Sequence, residues 1–200
     1  MNKLEAFNQS LFLQINADAG TQKWVIDAAI IIANDLLYLM LGLLLASWLW
    51  GDTTKRNLTI KACLVAILGV GLNQVISLVY WHPRPFMIGL GHMWMPHAAD
   101  SSFPSDHLVV FAGIGFTMMF DSEIRIGIVT LLTGLSVAWA RVFLGVHFPL
   151  DMVGAVGVAG LAYALVSPFW HKVGILITEL AERAYRKVLA RPIATGRIRR

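Results

Sequence analysis

The stretch ARVFLGVHFPLD, residues 140–151, is where one long apolar run stops and another starts, with arginine, histidine and aspartate set in the turn between them. The chain around it is 57% hydrophobic and 14% charged, with a mean hydropathy of +0.66. Soluble domains carry about a quarter charged residues, so a shortfall along the whole length reads as an integral membrane protein. A bilayer core about 30 Å thick takes roughly 20 helical residues to cross. Working outward from the turn, the spans are Ile124–Ala140 and Leu150–Trp170, then Ser105–Phe120, Leu58–Tyr80 and Trp24–Trp50. The third and fourth in chain order are short, so either they tilt little or their outer ends sit below the membrane surface.

The fold class expected is therefore an all-α integral membrane protein, a bundle of about five transmembrane helices in one domain spanning residues 1–200. Residues 1–22 read as an interfacial helix, because Leu4–Ile15 carries apolar positions at helical spacing but too few to cross. Residues 24–170 form the transmembrane core, and 171–200 an amphipathic helix after Pro168 that ends as a basic tail. The first twenty residues lack the basic start, apolar run and cleavage site of a signal peptide, so insertion is expected to rely on the internal spans. The single cysteine, Cys63, excludes a disulfide framework within the chain. Lys55, Arg56, Lys61, Arg125 and the eight basic residues from Lys172 to Arg200 fall on one side. Only Lys3, Lys23, Arg84 and Arg141 fall on the other, which makes the first side cytoplasmic. This bias accounts for the +4 net charge better than nucleic acid does, and the basic tail suits anionic lipid.

With that topology the loop Trp81–Pro104 and the turn Arg141–Pro149 both face outward. Arg84 follows the second span, Ser105 and His107 open the third, Arg141 closes the fourth, and His147 and Asp151 straddle the start of the fifth. Two arginines are bidentate donors for a tetrahedral oxyanion, and a helix amino terminus at Ser105 aims N–H groups and positive dipole at the same place. His147 and Asp151 are four apart, so the carboxylate can hold one imidazole nitrogen and leave the other as a nucleophile. His107 is a second imidazole for proton transfer. Each piece alone has an ordinary reading. PSDH could be an N-cap in which Ser105 or Asp106 satisfies free N–H groups, and the arginines could be snorkelling at span ends. Together they read as a phosphoryl-transfer site.

RPF (84–86), FPSDH (103–107) and ARVFLGVHFPLD (140–151) resemble, in order and in position against the spans, the three signature motifs of the type 2 phosphatidic acid phosphatase superfamily. The resemblance is close from about Ser77 to Asp151. Within that superfamily, PSDH and the small size are most similar to the bacterial undecaprenyl-diphosphatases associated with bacitracin resistance. It implies a phosphatase without metal or other cofactor: His147 as nucleophile forming a phosphohistidine, Asp151 orienting it, and His107 as acid and then base. Arg84, Arg141 and Ser105 would hold the phosphoryl oxygens, with Asp106 in the same phosphate-binding group by position. Two departures stand out. The family's first motif usually has a lysine where Ser77 stands. Asp106 replaces the glycine of Pro-Ser-Gly-His, and its carboxylate is expected to turn away, toward helix N–H groups.

The resemblance implies an isoprenoid lipid diphosphate as substrate, at the outer face of the bacterial inner membrane. Phosphatidylglycerophosphate or phosphatidic acid hydrolysis and lipid phosphotransfer are the alternatives within the same chemistry. Vanadate-binding haloperoxidases share such a site but are soluble. From another class, an anion-binding transporter subunit would not need an oriented imidazole. Asp35, inside the first span, is expected to face the bundle and find a partner, with a structural hydrogen bond or a functional role equally open. His97 and Asp100 could line the site entrance or be loop residues, and His82 is not read as catalytic. Gly154–Gly160 reads as helix packing, and Trp81, Trp94, Phe143 and Phe148 as an interfacial aromatic belt.

Overall fold

A computed structural model describes residues 3–196 and 198–199. Its helices are α1 (Lys3–Ile15), α2 (Lys23–Trp50), α3 (Thr53–Val79), α4 (Asp106–Phe120), α5 (Ile124–Phe143), α6 (Pro149–Val188) and α7 (Ala190–Ala194), with a 3-10 turn at Pro85–Ile88. The bundle is all-helical. α2, α3, α5 and α6 are each long and apolar enough to cross a membrane, and α4 is shorter.

α4 is the inner helix, packed on α3, α5 and α6. Nine of its fifteen residues are buried, Val109, Phe111 and Ile114 among them. Two neighbours come close because they present glycine: a Cβ at Gly69 of α3 would lie 2.6 Å from Val109 Cγ1, and one at Gly134 of α5 would lie 2.6 Å from Phe111 Cβ. Fifteen residues span ~22 Å of helix, less than the hydrocarbon thickness. One end of α4 must therefore stop short of a bilayer surface, covered by other parts of the chain.

That cover is α1 and the segment 81–105. α1 is more than a helix lying at an interface: Phe12 and Asn8 are buried, and Asn8 Oδ1 accepts from the Leu150 amide at the start of α6 (3.1 Å). Phe148 is likewise no belt residue. It is fully buried, edge-on to Phe12 with ring centroids 5.4 Å apart. Trp94 is tied inward by its indole N–H, which donates to the Ala17 carbonyl at 2.9 Å. Trp81 remains exposed.

At the opposite end of the bundle the structure adds detail to α6 and the buried cations and changes the expectation for Asp35. Pro168 does not end a helix, because α6 runs unbroken from Pro149 to Val188. Its second half packs on the start of α3, where Asn57 bonds both Thr178 Oγ1 (2.8 Å) and Trp170 Nε1 (3.0 Å). Arg56 and Lys61 are not lipid-facing charges. Both are buried; Arg56 pairs with Glu182 (3.3 Å) under the Tyr185 ring, and Lys61 pairs with Asp121 beside Tyr163. Asp35 does not face the bundle either. α2 lies at its edge, and Asp35 is exposed there, with no hydrogen bond or ion pair among the described residues.

The small-residue run of α6 divides by face. Ala155 and Ala159 are fully buried and Gly154 receives the Phe103 ring, whereas a Cβ at Gly157 would meet nothing within 4 Å. Gly134→Leu should thus force Phe111 aside and destabilise the fold by about 1–3 kcal/mol, read as a lower unfolding temperature in detergent. Gly157→Leu should leave that temperature near the wild-type value.

Candidate active site

Three segments build the site at the covered end of α4. The segment 81–105 brings Arg84, the end of α5 brings Arg141, and the turn into α6 brings His147. Gly145 makes that turn possible: its φ is +83°, and a Cβ there would collide with the His92 carbonyl. Asn16, just after α1, ties the turn to the loop. Its Nδ2 donates to the carbonyls of His92 (2.9 Å) and Phe143 (3.0 Å), and its Oδ1 accepts from the His92 amide (2.7 Å).

Asp151 shapes the start of α6 in two ways. Its Oδ2 accepts the Phe148 amide at 2.7 Å, which caps the helix, and stands 3.2 Å from His147 Nδ1. The same oxygen accepts from the Ser102 hydroxyl. His147 Nε2 then faces away from the carboxylate, 3.1 Å from Arg84 Nη1. Burial pushes the His147 imidazole down to about 4; Asp151 opposes this, and the charges of Arg141 and Arg84 reinforce it. A neutral ring that donates from Nδ1 to Asp151 presents its Nε2 lone pair toward Arg84 Nη1.

Both guanidiniums are buried. Arg84 is held on three sides, by Asp100 through Nε (2.8 Å), by the Val146 carbonyl through Nη1 (2.8 Å) and by the Ser101 carbonyl through Nη2 (3.1 Å). Arg141 lies between two imidazoles, Nη1 3.2 Å from His107 Nε2 and Nη2 2.9 Å from His97 Nε2. Its Nε and the buried Ser105 hydroxyl have no hydrogen-bond partner among the described residues. Ser105 precedes α4 without capping it through its side chain.

The structure thus brings Arg84, His107, Arg141 and His147 to the wall of a cavity of about 390 Å³, with Asp106 on its α3 side. Asp151 stands behind His147 and Ser105 lies at the helix start. The Asp106 carboxylate shares the cavity wall with the guanidiniums and is engaged by amide side chains, not by helix N–H groups. Asn73 Nδ2 reaches Oδ1 at 2.8 Å and Gln74 Nε2 reaches Oδ2 at 3.3 Å. Ser77, at the place of the family's lysine, donates to the Phe103 carbonyl (3.2 Å).

Sequence reasoning did not identify Ser102, Asn73 or the tie made by Asn16. Ser102 could have been suspected only from its nearness to the FPSDH motif. Asn73 is a lone amide in a span, which by itself signals no particular partner. His82 contacts Glu5 of α1 at 3.3 Å and holds no place in the cavity wall.

This geometry presents cationic donors, a free hydroxyl, a helix start and an oriented imidazole nitrogen to one small volume, a set suited to a phosphoryl group. Comparison with known proteins points the same way. The chain is 35% identical to YbjG of Escherichia coli (strain K12) over 98% of its own length and 99% of that protein. It is 35% identical to the undecaprenyl-diphosphatase BcrC of Bacillus subtilis (strain 168) over 75% of this chain and 79% of that one. The crystal structure of Aquifex aeolicus LpxE superposes with a TM-score of 0.66 at 20% identity, covering 81% of this chain and 95% of that chain, so the two share a fold. The sequence profile of the PAP2 superfamily matches residues 58–175, which include every residue of the cavity wall, and the chain belongs to that superfamily.

Proposed function

We propose that this membrane protein hydrolyses undecaprenyl diphosphate to undecaprenyl phosphate and inorganic phosphate. The observation that carries the reading is the buried His147, fixed by Asp151 on one side and facing Arg84 on the other. An anion-binding subunit has no use for an oriented imidazole lone pair. The substrate class is supported by the relative named undecaprenyl-diphosphatase, which is 35% identical.

In this reading Nε2 of His147 attacks the terminal phosphorus and forms a phosphohistidine. Arg84, Arg141, the Ser105 hydroxyl and the start of α4 bind the three equatorial oxygens, whose charge grows in the transition state. His107, within reach of the same oxygens through Arg141, gives a proton to the leaving side and then takes one from the water that releases phosphate. The guanidiniums supply positive charge that other phosphatases draw from metal ions. Asp106, engaged by Asn73 and Gln74, keeps its own charge off the phosphate.

His147→Ala is expected to lose essentially all turnover while still binding substrate, and His107→Ala to slow turnover by about 10²–10⁴-fold. Phosphate release by the purified variants measures both, and a fully active His147→Ala protein would sink the covalent route.

The bias of lysine and arginine supports an outward-facing site. With single cysteines at His92 and at Thr195 in a Cys63→Ala background, an impermeant thiol reagent applied to intact cells should label position 92 and not position 195. The opposite pattern reverses the orientation.

Substrate and side meet in one further expectation. Bacitracin sequesters the outward lipid diphosphate, so raising the level of this protein should raise the bacitracin concentration that cells tolerate, and Arg141→Ala at equal expression should remove the gain. Unchanged tolerance, together with faster phosphate release from phosphatidylglycerophosphate than from undecaprenyl diphosphate, moves the substrate to a glycerophospholipid and leaves the catalytic assignment in place.

A further inference from the structure

With a phosphoryl group set against His147, Arg84, Arg141 and Ser105, the cavity wall keeps two more side chains that can become cations, His107 and His97. Gln74, Ser77 and Ser101 are neutral, and Asp100 and Asp106 are carboxylates; with His107 assigned to the leaving-group proton, the ionisable base left without a role is His97. It sits on the segment 81–105 with its side chain 20% exposed, so it stands between the buried guanidiniums and the opening. Its ring centroid is 6.2 Å from that of His147. Nδ1 points at the Ala98 carbonyl (3.1 Å) and lies 3.8 Å from the Asp100 carboxylate, while Nε2 faces Arg141 Nη2 at 2.9 Å. Asp100 in turn holds Arg84 Nε at 2.8 Å. The His97–Asp100 pair therefore touches both guanidiniums from the outer side.

Resting on the lipid-diphosphate reading above, we propose that His97, braced by Asp100, binds the second phosphate of the substrate and makes the pocket favour a diphosphate over a monophosphate ester.

The chemistry of the leaving group explains why such a residue is useful. When His147 Nε2 bonds to the phosphorus of a monophosphate ester, the P–O bond breaks toward an alkoxide, whose conjugate acid is about as weak as water, with a pKa of about 15.7. That oxygen needs a proton as it leaves. In a diphosphate the electron pair of the bridging P–O bond passes to the oxygen of a lipid monophosphate, whose second pKa is about 6. This oxygen depends less on the proton from His107, and it gains from a further donor for the charge it takes on. Water then cleaves the N–P bond, releasing inorganic phosphate and restoring the imidazole. His107 serves both substrates as proton donor and base, whereas a cation beyond the phosphoryl cradle serves the second alone.

His97 is arranged to become that cation. Burial holds its imidazole below the usual range; the charges of Arg84 and Arg141 push the same way, and the Ala98 carbonyl and Asp100 push back. A phosphoryl group on Arg141 takes over Nη2, which frees His97 Nε2. The charge of the second phosphate adds to that of Asp100 and favours protonation. One N–H then serves the Ala98 carbonyl and the other the phosphate.

The test compares kcat/KM of the purified full chain on an isoprenyl diphosphate and on the monophosphate with the same isoprenoid tail. For His97→Ala the diphosphate-to-monophosphate ratio should fall on the order of 10- to 100-fold, the worth of one hydrogen bond to a charged group. Monophosphate turnover should fall by much less, through the lost brace on Arg141. His97→Gln, whose amide oxygen can still accept from Arg141, should recover the monophosphate reaction and leave most of the diphosphate loss. Parallel losses on both substrates in both variants would reduce His97 to a support for Arg141 and overturn the proposal. A wild-type preference for the diphosphate that survives His97→Ala overturns the assignment of His97 alone. A wild-type protein that prefers the monophosphate overturns the lipid-diphosphate reading and the His97 proposal with it.

Discussion

Arg141 is a guanidinium buried at the inner end of a pocket, with two imidazoles as its side-chain partners and no carboxylate within ion-pair distance among the described residues. Burying a charge without a countercharge costs several kcal/mol after relaxation, and a fold tolerates that cost only where the surroundings leave the side chain no alternative. Here α5 carries Arg141 in its last turn, and the Gly145 turn, α4 and the loop 81–105 close around it. An anion held by Arg141 offsets the cost, so binding is favoured by a deficit already present in the protein. The unpartnered Ser105 hydroxyl and Arg141 Nε belong to the same deficit.

Rigidity follows from where the supports originate. Arg84 is fixed by backbone carbonyls from two segments, and the turn carrying His147 is tied to the loop through Asn16. Asn8 holds the first turn of α6, so α1 reaches the site without contributing a reacting group. A helix too short to span becomes the clamp on a site formed by an inner helix that is also too short. The unfilled height over α4 is the space that α1 and the loop occupy. A displacement of even 1 Å in such a constellation can cost about 10²-fold in rate, which gives the clamp a functional consequence.

Much of this was legible in the sequence. Apolar runs gave the bundle, and the positions of Arg84, Ser105, His107, Arg141, His147 and Asp151 at span ends gave the convergence. A span fixes the depth of its ends, so residues distant in sequence could be set at one level without knowledge of packing. What stayed hidden depended on packing between elements. Phe148 read as an interfacial aromatic, because sequence does not reveal that Phe12 meets it. The amphipathic helix read after Pro168 is the continuation of α6 itself, and the contacts of Asn57 with Thr178 and Trp170 hold that part against α3. Ser102 was invisible because a hydroxyl in a serine-rich loop has no period or spacing that marks it. Asp106 was expected to turn toward helix N–H groups, but its partners are amides of α3, more than thirty residues away in sequence.

The two ends of the bundle show how structural charge differs from reactive charge. Arg56 and Lys61 are as deeply buried as Arg84 and Arg141, and simple counting treats all four alike. Arg56 has a carboxylate, two backbone carbonyls and two aromatic faces, and Lys61 has Asp121 and the Tyr163 ring. Their donors are spent within the protein, and an incoming anion would have to break contacts to reach them. At the other end the carboxylates are placed differently. Asp151 is directed at an imidazole, Asp106 at two amides, and Asp100 at the outer side of Arg84 and His97. None of them neutralises Arg141. Asp100 pairs with Arg84 but no carboxylate forms an ion pair with Arg141 among the described residues, and that distribution leaves positive potential at the pocket for a phosphate to use.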